Sequence, residues 1–200
     1  MSISPADLPT ADLSAIRAAL LELMCQVAYK EGDFTLSSGK KSTYYINGKQ
    51  VTLHAQGALM VSRLLLDMLP AGTVSVGGLT LGADPMVSAV SIVGAYENQP
   101  VTPLIIRKEA KGHGTRAYIE GPELPEGSLV TILEDVVTTG ASALKAVERL
   151  RAVGYEVNNI LALVDRQQGG RELYDKEGLT FQSIFTIEEL QAHVRSQRDS

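Results

Sequence analysis

From residue 74 onward the chain alternates short apolar runs with stretches of helical period, a pattern that few folds accommodate. Residues 74–79, 101–106, 129–133 and 160–164 read as strands, with 129–133 of the fully buried kind. Between and after them, residues 84–96, 141–153 and 187–194 read as helices. In the second of these, Leu144, Val147 and Leu150 fall on one side. Upstream, Ile16, Leu20, Met24 and Val27 recur at helical spacing and predict a helix over 13–29. Residues 34–47 predict a short strand and turn, and residues 55–69 a helix closed by Pro70. Strands alternating with helices give an α/β fold, with a mostly parallel central sheet flanked by helices on both faces. No repeat, low-complexity tract or linker divides the 200 residues, so a single domain over 1–200 is expected.

Composition narrows the function. With 44% hydrophobic and 20% charged residues, the chain can bury a core. A net charge of -5 argues against a nucleic-acid binder, which needs a basic stripe to neutralise phosphates. A small anionic substrate stays compatible, because its recognition depends on local charge. Cys25 is the only cysteine, so no intrachain disulfide forms, and its apolar surroundings mark it as a small core residue. Residues 1–10 lack a basic start followed by an apolar run, and no stretch is long and apolar enough to span a bilayer. A cytoplasmic enzyme without membrane contact is expected.

The chemistry concentrates after the 129–133 strand. There Glu134-Asp135-Val136-Val137-Thr138-Thr139-Gly140-Ala141-Ser142 leads directly into a helix. At the carboxyl end of a parallel strand, the unpaired amides of a helix start and the helix dipole favour an anion. Gly140 lets the backbone approach a phosphate, and the hydroxyls of Thr138, Thr139 and Ser142 can donate to it. An N-capped helix would explain the threonines but not two adjacent carboxylates. Beside a phosphate, those carboxylates need another task. Binding the vicinal hydroxyls of a ribose, directly or through a metal, supplies one. The segment therefore reads as a site for a sugar carrying a 5-phosphate.

A second segment is basic. Arg107-Lys108-Glu109-Ala110-Lys111-Gly112-His113-Gly114-Thr115-Arg116 places four positive charges and a histidine within ten residues. In an acidic protein this reads as a mobile lid that closes over an anion and excludes water. Residues 112–117 also fit G-x-G-x-x-[GA], but Pro122, Pro125 and two glycines follow where a dinucleotide-binding helix should begin. No G-x-x-x-x-G-K-[ST] loop occurs, which argues against an ATPase.

Residues 134–142 with their preceding strand resemble the signature loop of type I phosphoribosyltransferases, which displace pyrophosphate from phosphoribosyl pyrophosphate (PRPP). The basic segment resembles the lid of the orotate phosphoribosyltransferase family in particular. The resemblance spans residues 13–170. It implies a type I phosphoribosyltransferase fold with a small N-terminal hood and a flexible lid loop. It also implies a homodimer with shared active sites. PRPP contacts then fall on Arg107, Lys108, Lys111 and His113 and on Glu134, Asp135, Val136, Val137, Thr138, Thr139, Gly140, Ala141 and Ser142. Lys111, His113 and Asp135 carry catalysis. Arg107, Lys111 and His113 would act on the partner's pyrophosphate, and Lys108 on the substrate in its own cradle. Mg²⁺ arrives mainly on PRPP, with no metal site made by protein alone.

Three further stretches resemble the same family. In Phe34-Thr-Leu-Ser-Ser-Gly39-Lys-Lys-Ser42-Thr-Tyr44-Tyr45 the resemblance sets Tyr44 and Tyr45 against the base, together with Thr138 from the cradle. Gly78-Leu-Thr-Leu-Gly82-Ala-Asp84-Pro85 stands where a turn near pyrophosphate is expected. Val164-Asp165-Arg166-Gln-Gln-Gly169-Gly170 puts Arg166 on the carboxylate of orotate. Independently, a planar guanidinium suits an anionic pyrimidine, because it pairs with a carboxylate through two hydrogen bonds.

Overall fold

The first helix starts where its capping residue dictates. Asp12 accepts a hydrogen bond from the Ala15 amide at 2.9 Å and so satisfies one unpaired donor of α1 (Leu13–Leu23). Ile16 and Leu20 are fully buried along its inner face. The helix then widens into a π-turn over Met24–Ala28. The extra residue per turn moves the buried face onto Met24 and Ala28 and leaves Val27 half-buried. This computed structural model describes residues 4, 6–35, 39, 41–111 and 116–198.

The single helix expected over 13–29 therefore ends one residue sooner, and the strand expected near residue 34 begins at Tyr29. β1 (Tyr29–Thr35) pairs antiparallel with β2 (Lys41–Ile46), matching Tyr29 with Ile46 and Glu31 with Tyr44. An irregularity between Glu31 and Phe34 twists this two-stranded hood.

The central sheet has six strands: β3 (Ser75–Leu79), β4 (Thr102–Ile106), β5 (Ile119–Glu120), β6 (Leu129–Val137), β7 (Glu156–Asp165) and β8 (Thr180–Thr186). Their order is β5-β4-β3-β6-β7-β8, parallel throughout except for β5 against β4. Between them run α2 (Lys49–Thr52), α3 (Ala55–Met68), α4 (Asp84–Tyr96), α5 (Ala141–Arg151), α6 (Gly170–Lys176) and α7 (Ile187–Arg198). The hood was expected from the resemblance, whereas the short α2 and α6, and strands β5 and β8, were not read as elements from the sequence.

The sheet separates two apolar cores, and the side-chain period of a strand assigns residues to each. Leu133 and Leu161 join Leu65, Val87 and Leu190 of α3, α4 and α7 on one face. Ile132 and Ile160 join Val147 and Leu150 of α5 and Tyr174 of α6 on the other. Burying each of these aliphatic side chains stabilises the fold by about 1.5–3 kcal/mol. β3 has β4 on one side and β6 on the other, so the connections diverge at the carboxyl ends of β3 and β6. A crevice opens there, and ligands bind at such a switch point.

Candidate active site

The acidic pair sits within a strand, not after one. The sequence ends the strand at Leu133, but β6 continues to Val137 because equally apolar β7 pairs with it, Glu134 opposite Ala162 and Val137 opposite Asp165. Alternation along a strand would send neighbouring side chains to opposite faces. Here both carboxylates converge on Gly82, at the turn after β3. A Cβ at residue 82 would lie 2.7 Å from Asp135 Oδ1 and 3.5 Å from Glu134 Oε1. Glycine at this point is what lets the turn close over the acids.

Asp135 Oδ1 accepts from the Val136 amide at 3.0 Å, and Oδ2 lies 3.6 Å from Lys49 Nζ. Glu134 is less well provided. Its Oε2 is buried and has no hydrogen-bond partner among the described residues. Burial pushes its carboxyl up from 4.5 to about 8, and the charge of Asp135 pushes in the same direction; Lys108 and Lys49 oppose the rise. At neutral pH the free protein holds a proton on Glu134. That proton spares the buried Glu134 a charge it has no donor to offset until a ligand supplies one.

Beyond Val137 the chain turns through Thr138 and Thr139 to Gly140, whose φ of 85° lies in the left-handed region. Glycine adopts this without the clash that a Cβ brings. Among the described residues no side chain caps α5, so the amides of its first turn remain for a ligand. They line a cavity of ≈ 70 Å³ with Glu134, residues 136–143 and Tyr174. Every residue of the predicted cradle borders this cavity except Asp135, which faces Gly82 next to it.

Arg166 follows β7. Its amide donates to Val137 O at 2.9 Å, which ties it to the end of β6. Its side chain is buried under the hood, with Nε 3.3 Å from the Tyr44 hydroxyl and the guanidinium carbon 4.9 Å from the Tyr44 ring centroid. Nη2 has no partner among the described residues. Gln168 donates to the same hydroxyl at 3.2 Å, and Tyr29 stacks on Tyr44. Tyr45 leaves the other face of the hairpin, 42% exposed, and packs on Phe34. The structure brings Tyr44 to Arg166 and leaves Tyr45 apart.

The lid stem is described up to Lys111 and again from Arg116. Arg107 and Lys111 donate backbone hydrogen bonds to Tyr118 and Ala117, each at 2.8 Å. Both side chains lie on Glu120 Oε1, at 3.2 and 3.5 Å. Lys108 is exposed, and its charge acts on Glu134. Arg149 of α5 donates to the carbonyls of Arg107 and Lys108 and covers the Tyr118 ring at 4.0 Å. His113, with Gly112 and Gly114, lies outside the described residues.

Sequence reasoning missed Lys49, Glu120, Arg149, Gln168 and Tyr174. Lys49, Glu120, Arg149 and Tyr174 reach the site from other elements and belong to no local motif, whereas Gln168 lies in the 164–170 stretch and was passed over beside Arg166. Among the described residues, no three His, Cys, Asp or Glu side chains gather as a metal site, and no helix is long and apolar enough to cross a membrane.

No protein-family model matches the chain. An orotate phosphoribosyltransferase of Nostoc sp. is 68% identical over 182 residues, 91% of this chain and 88% of that protein. One from Synechocystis sp. is 65% identical over 190 residues, 95% of this chain and 96% of that protein. The orotate phosphoribosyltransferase of Mycobacterium tuberculosis, solved in complex with PRPP, superposes with a TM-score of 0.74 at 34% identity. That match covers 88% of this chain and 99% of the solved one.

Proposed function

The chain belongs to the orotate phosphoribosyltransferase family, and from that premise we propose how its residues divide the reaction between them. The enzyme transfers ribose 5-phosphate from PRPP to orotate, giving orotidine 5′-monophosphate (OMP) and pyrophosphate in pyrimidine synthesis. The cradle from Val136 to Ser142 anchors the 5-phosphate on the free amides of α5 and the hydroxyls of Thr138, Thr139 and Ser142. Glu134 and Asp135 take the ribose hydroxyls, whose donors replace the proton now held on Glu134. Arg166 takes the orotate carboxylate, with Tyr44 and Thr138 beside the ring. The unpaired, buried Nη2 of Arg166 carries this assignment. A buried guanidinium nitrogen without an acceptor is costly, and a carboxylate removes the deficit through paired hydrogen bonds.

The bond from the anomeric carbon to pyrophosphate breaks ahead of attack by the orotate ring nitrogen, so positive charge develops on the sugar. No covalent enzyme intermediate is needed, and the protein contributes positioning and charge stabilisation. Mg²⁺ fits the donor set. Two neighbouring carboxylates offer hard oxygens, and this ion favours one or two such ligands plus substrate phosphates. When bound, it would supply positive charge to offset that of the pyrophosphate, and Glu134 and Asp135 are the residues that would hold it.

Lid cations then close over the pyrophosphate. Lys108 acts on the site of its own subunit, as its pull on Glu134 suggests. Arg107, Lys111 and His113 serve the site of a second copy in a cytoplasmic homodimer. The test is the loss of orotate absorbance on adding PRPP with and without Mg²⁺. A magnesium-dependent fall is expected. No fall with orotate, but turnover with another base, overturns the role of Arg166 and leaves the cradle intact.

A further inference from the structure

We propose that the Tyr174 hydroxyl is an additional ligand of the substrate's 5-phosphate, at the floor of the cradle. The inference rests on reading residues 136–142 as the phosphate site, and its observations come from a separate element, α6. Tyr174 is fully buried, and its ring lies directly under Gly140. A Cβ at residue 140 would meet Tyr174 Cε1 at 2.8 Å, Cζ at 2.9 Å and the hydroxyl oxygen at 3.1 Å.

The ring alone explains the packing. It sits edge-on to Phe181, 5.1 Å between centroids, within an otherwise apolar core. Phenylalanine would fill that space equally well, so the hydroxyl needs its own explanation. Among the described residues the oxygen has no hydrogen-bond partner. A buried hydroxyl without a partner destabilises a fold, and such groups are rare away from functional sites. This one borders the cavity that the α5 amides and Glu134 line.

The surroundings also fix its role as a donor. Burial, then the nearby carboxyls of Glu134 and Asp165, raise the phenol well above its usual range, so it keeps its proton. Asp165 is already engaged, accepting from the Gln167 amide at 2.8 Å. Glu134 Oε2 lacks a partner in the same cavity but does not meet the phenol. An incoming phosphate supplies the acceptor that the empty cradle lacks. The phenol therefore joins the amides of residues 141–143 as a donor approaching from beneath the loop.

Y174F removes one oxygen and preserves the ring. Its affinity for OMP and for orotidine, the nucleoside without the phosphate, is measured by calorimetry beside wild type. The expected result is an OMP affinity weakened about tenfold or more, as for a lost hydrogen bond to a charged group. Orotidine binding stays unchanged. The unliganded variant melts at the same or a higher temperature, because a buried unpaired group is gone. A merely structural tyrosine predicts the reverse, a lower melting temperature with an unaltered OMP-to-orotidine ratio, and that result overturns the proposal. If wild type itself fails to prefer OMP over orotidine, the cradle reading fails and takes this inference with it. Inorganic phosphate gives a second measure. It should raise the melting temperature of wild type more than that of Y174F, and equal rises count against Tyr174.

Discussion

In the proposed division of the reaction, the cradle and the lid address opposite ends of one substrate, and the protein prepares them in opposite ways. The cradle is buried, continuous in sequence, and keeps its polar groups waiting. Glu134 Oε2, the Tyr174 hydroxyl and, across the crevice, Arg166 Nη2 all lack partners among the described residues. The lid stem is exposed, and its cations are already occupied. Arg107 and Lys111 share one oxygen of Glu120, and Arg149 holds the carbonyls of Arg107 and Lys108. Unpaired groups in a buried cradle cost stability before binding and return it as affinity. Surface ion pairs are worth about 0–1 kcal/mol, so Glu120 releases its two cations cheaply when pyrophosphate arrives. The cradle is therefore suited to tight ground-state binding. The lid is suited to act on charge that develops later, where binding accelerates chemistry.

The sharpest test of that contrast is Lys111→Ala. Its side chain is 70% exposed and pairs with Glu120 at the surface, so removal should leave the melting temperature unaltered. Turnover should fall about a hundredfold or more, the loss typical of one pre-organised transition-state donor. OMP, which lacks pyrophosphate, should bind as before. Steady-state kinetics with a calorimetric OMP titration distinguishes the two ends. If OMP affinity falls in step with turnover, cradle and lid are not separate devices.

A smaller effect is expected at Arg149, where the two regions are physically joined. Its helix begins at the phosphate cradle, and its guanidinium holds the lid stem from below. Arg149→Met keeps the aliphatic stem and loses two donors, each worth about 1 kcal/mol. Turnover should drop about tenfold, with a raised KM for pyrophosphate in the reverse reaction and an unchanged affinity for OMP. Arg149→Lys should rescue little, because an ammonium cannot span two carbonyls as a planar fork does. Full activity in Arg149→Met would show that the stem holds its place through the Arg107–Tyr118 and Lys111–Ala117 backbone bonds alone.

The same division explains what could be read in advance. The cradle was legible because its parts are consecutive: strand, acids, threonines, Gly140 and helix follow in nine residues. The α/β order was legible for a related reason, since α3 ends at Pro70 and α5 carries a clear apolar period through Leu144, Val147 and Leu150. The end of β6 was misplaced because carboxylates look foreign to a strand, whereas burial opposite β7 keeps Glu134 and Asp135 in the ladder. The π-turn at Met24 leaves the apolar spacing almost unchanged, so nothing in the sequence marks it. Tyr174, Glu120 and Arg149 carry no motif. They reach the site only because α6, β5 and α5 pack beside it, and that is a property of tertiary structure. Arg166 was legible as a residue, but its pairing with Tyr44 and not Tyr45 depended on the face that the hairpin turns inward.

The smallest effect probes the cost of keeping the cradle unpaired. Glu134 rises from 4.5 to about 8 in the folded protein, chiefly through burial. Between those values the unfolded chain has lost the proton that the folded chain keeps. Stability from this group is therefore fully present below pH 4.5, declines as pH rises, and is gone above about pH 8. Glu134→Gln carries no titrating group and should not share the decline. Melting curves at steps from pH 5 to pH 8 should show wild type falling relative to the variant by a few degrees, on the order expected for a domain of this size. Taking the difference between the two proteins cancels other titrations, including Glu22, which its hydrogen bond from His193 holds low. Saturating OMP should shrink the difference, because ribose hydroxyls supply the donors that the empty site lacks. A difference flat across this range would mean that Glu134 is already ionised and paired, and that the cradle is as fully satisfied before binding as the lid.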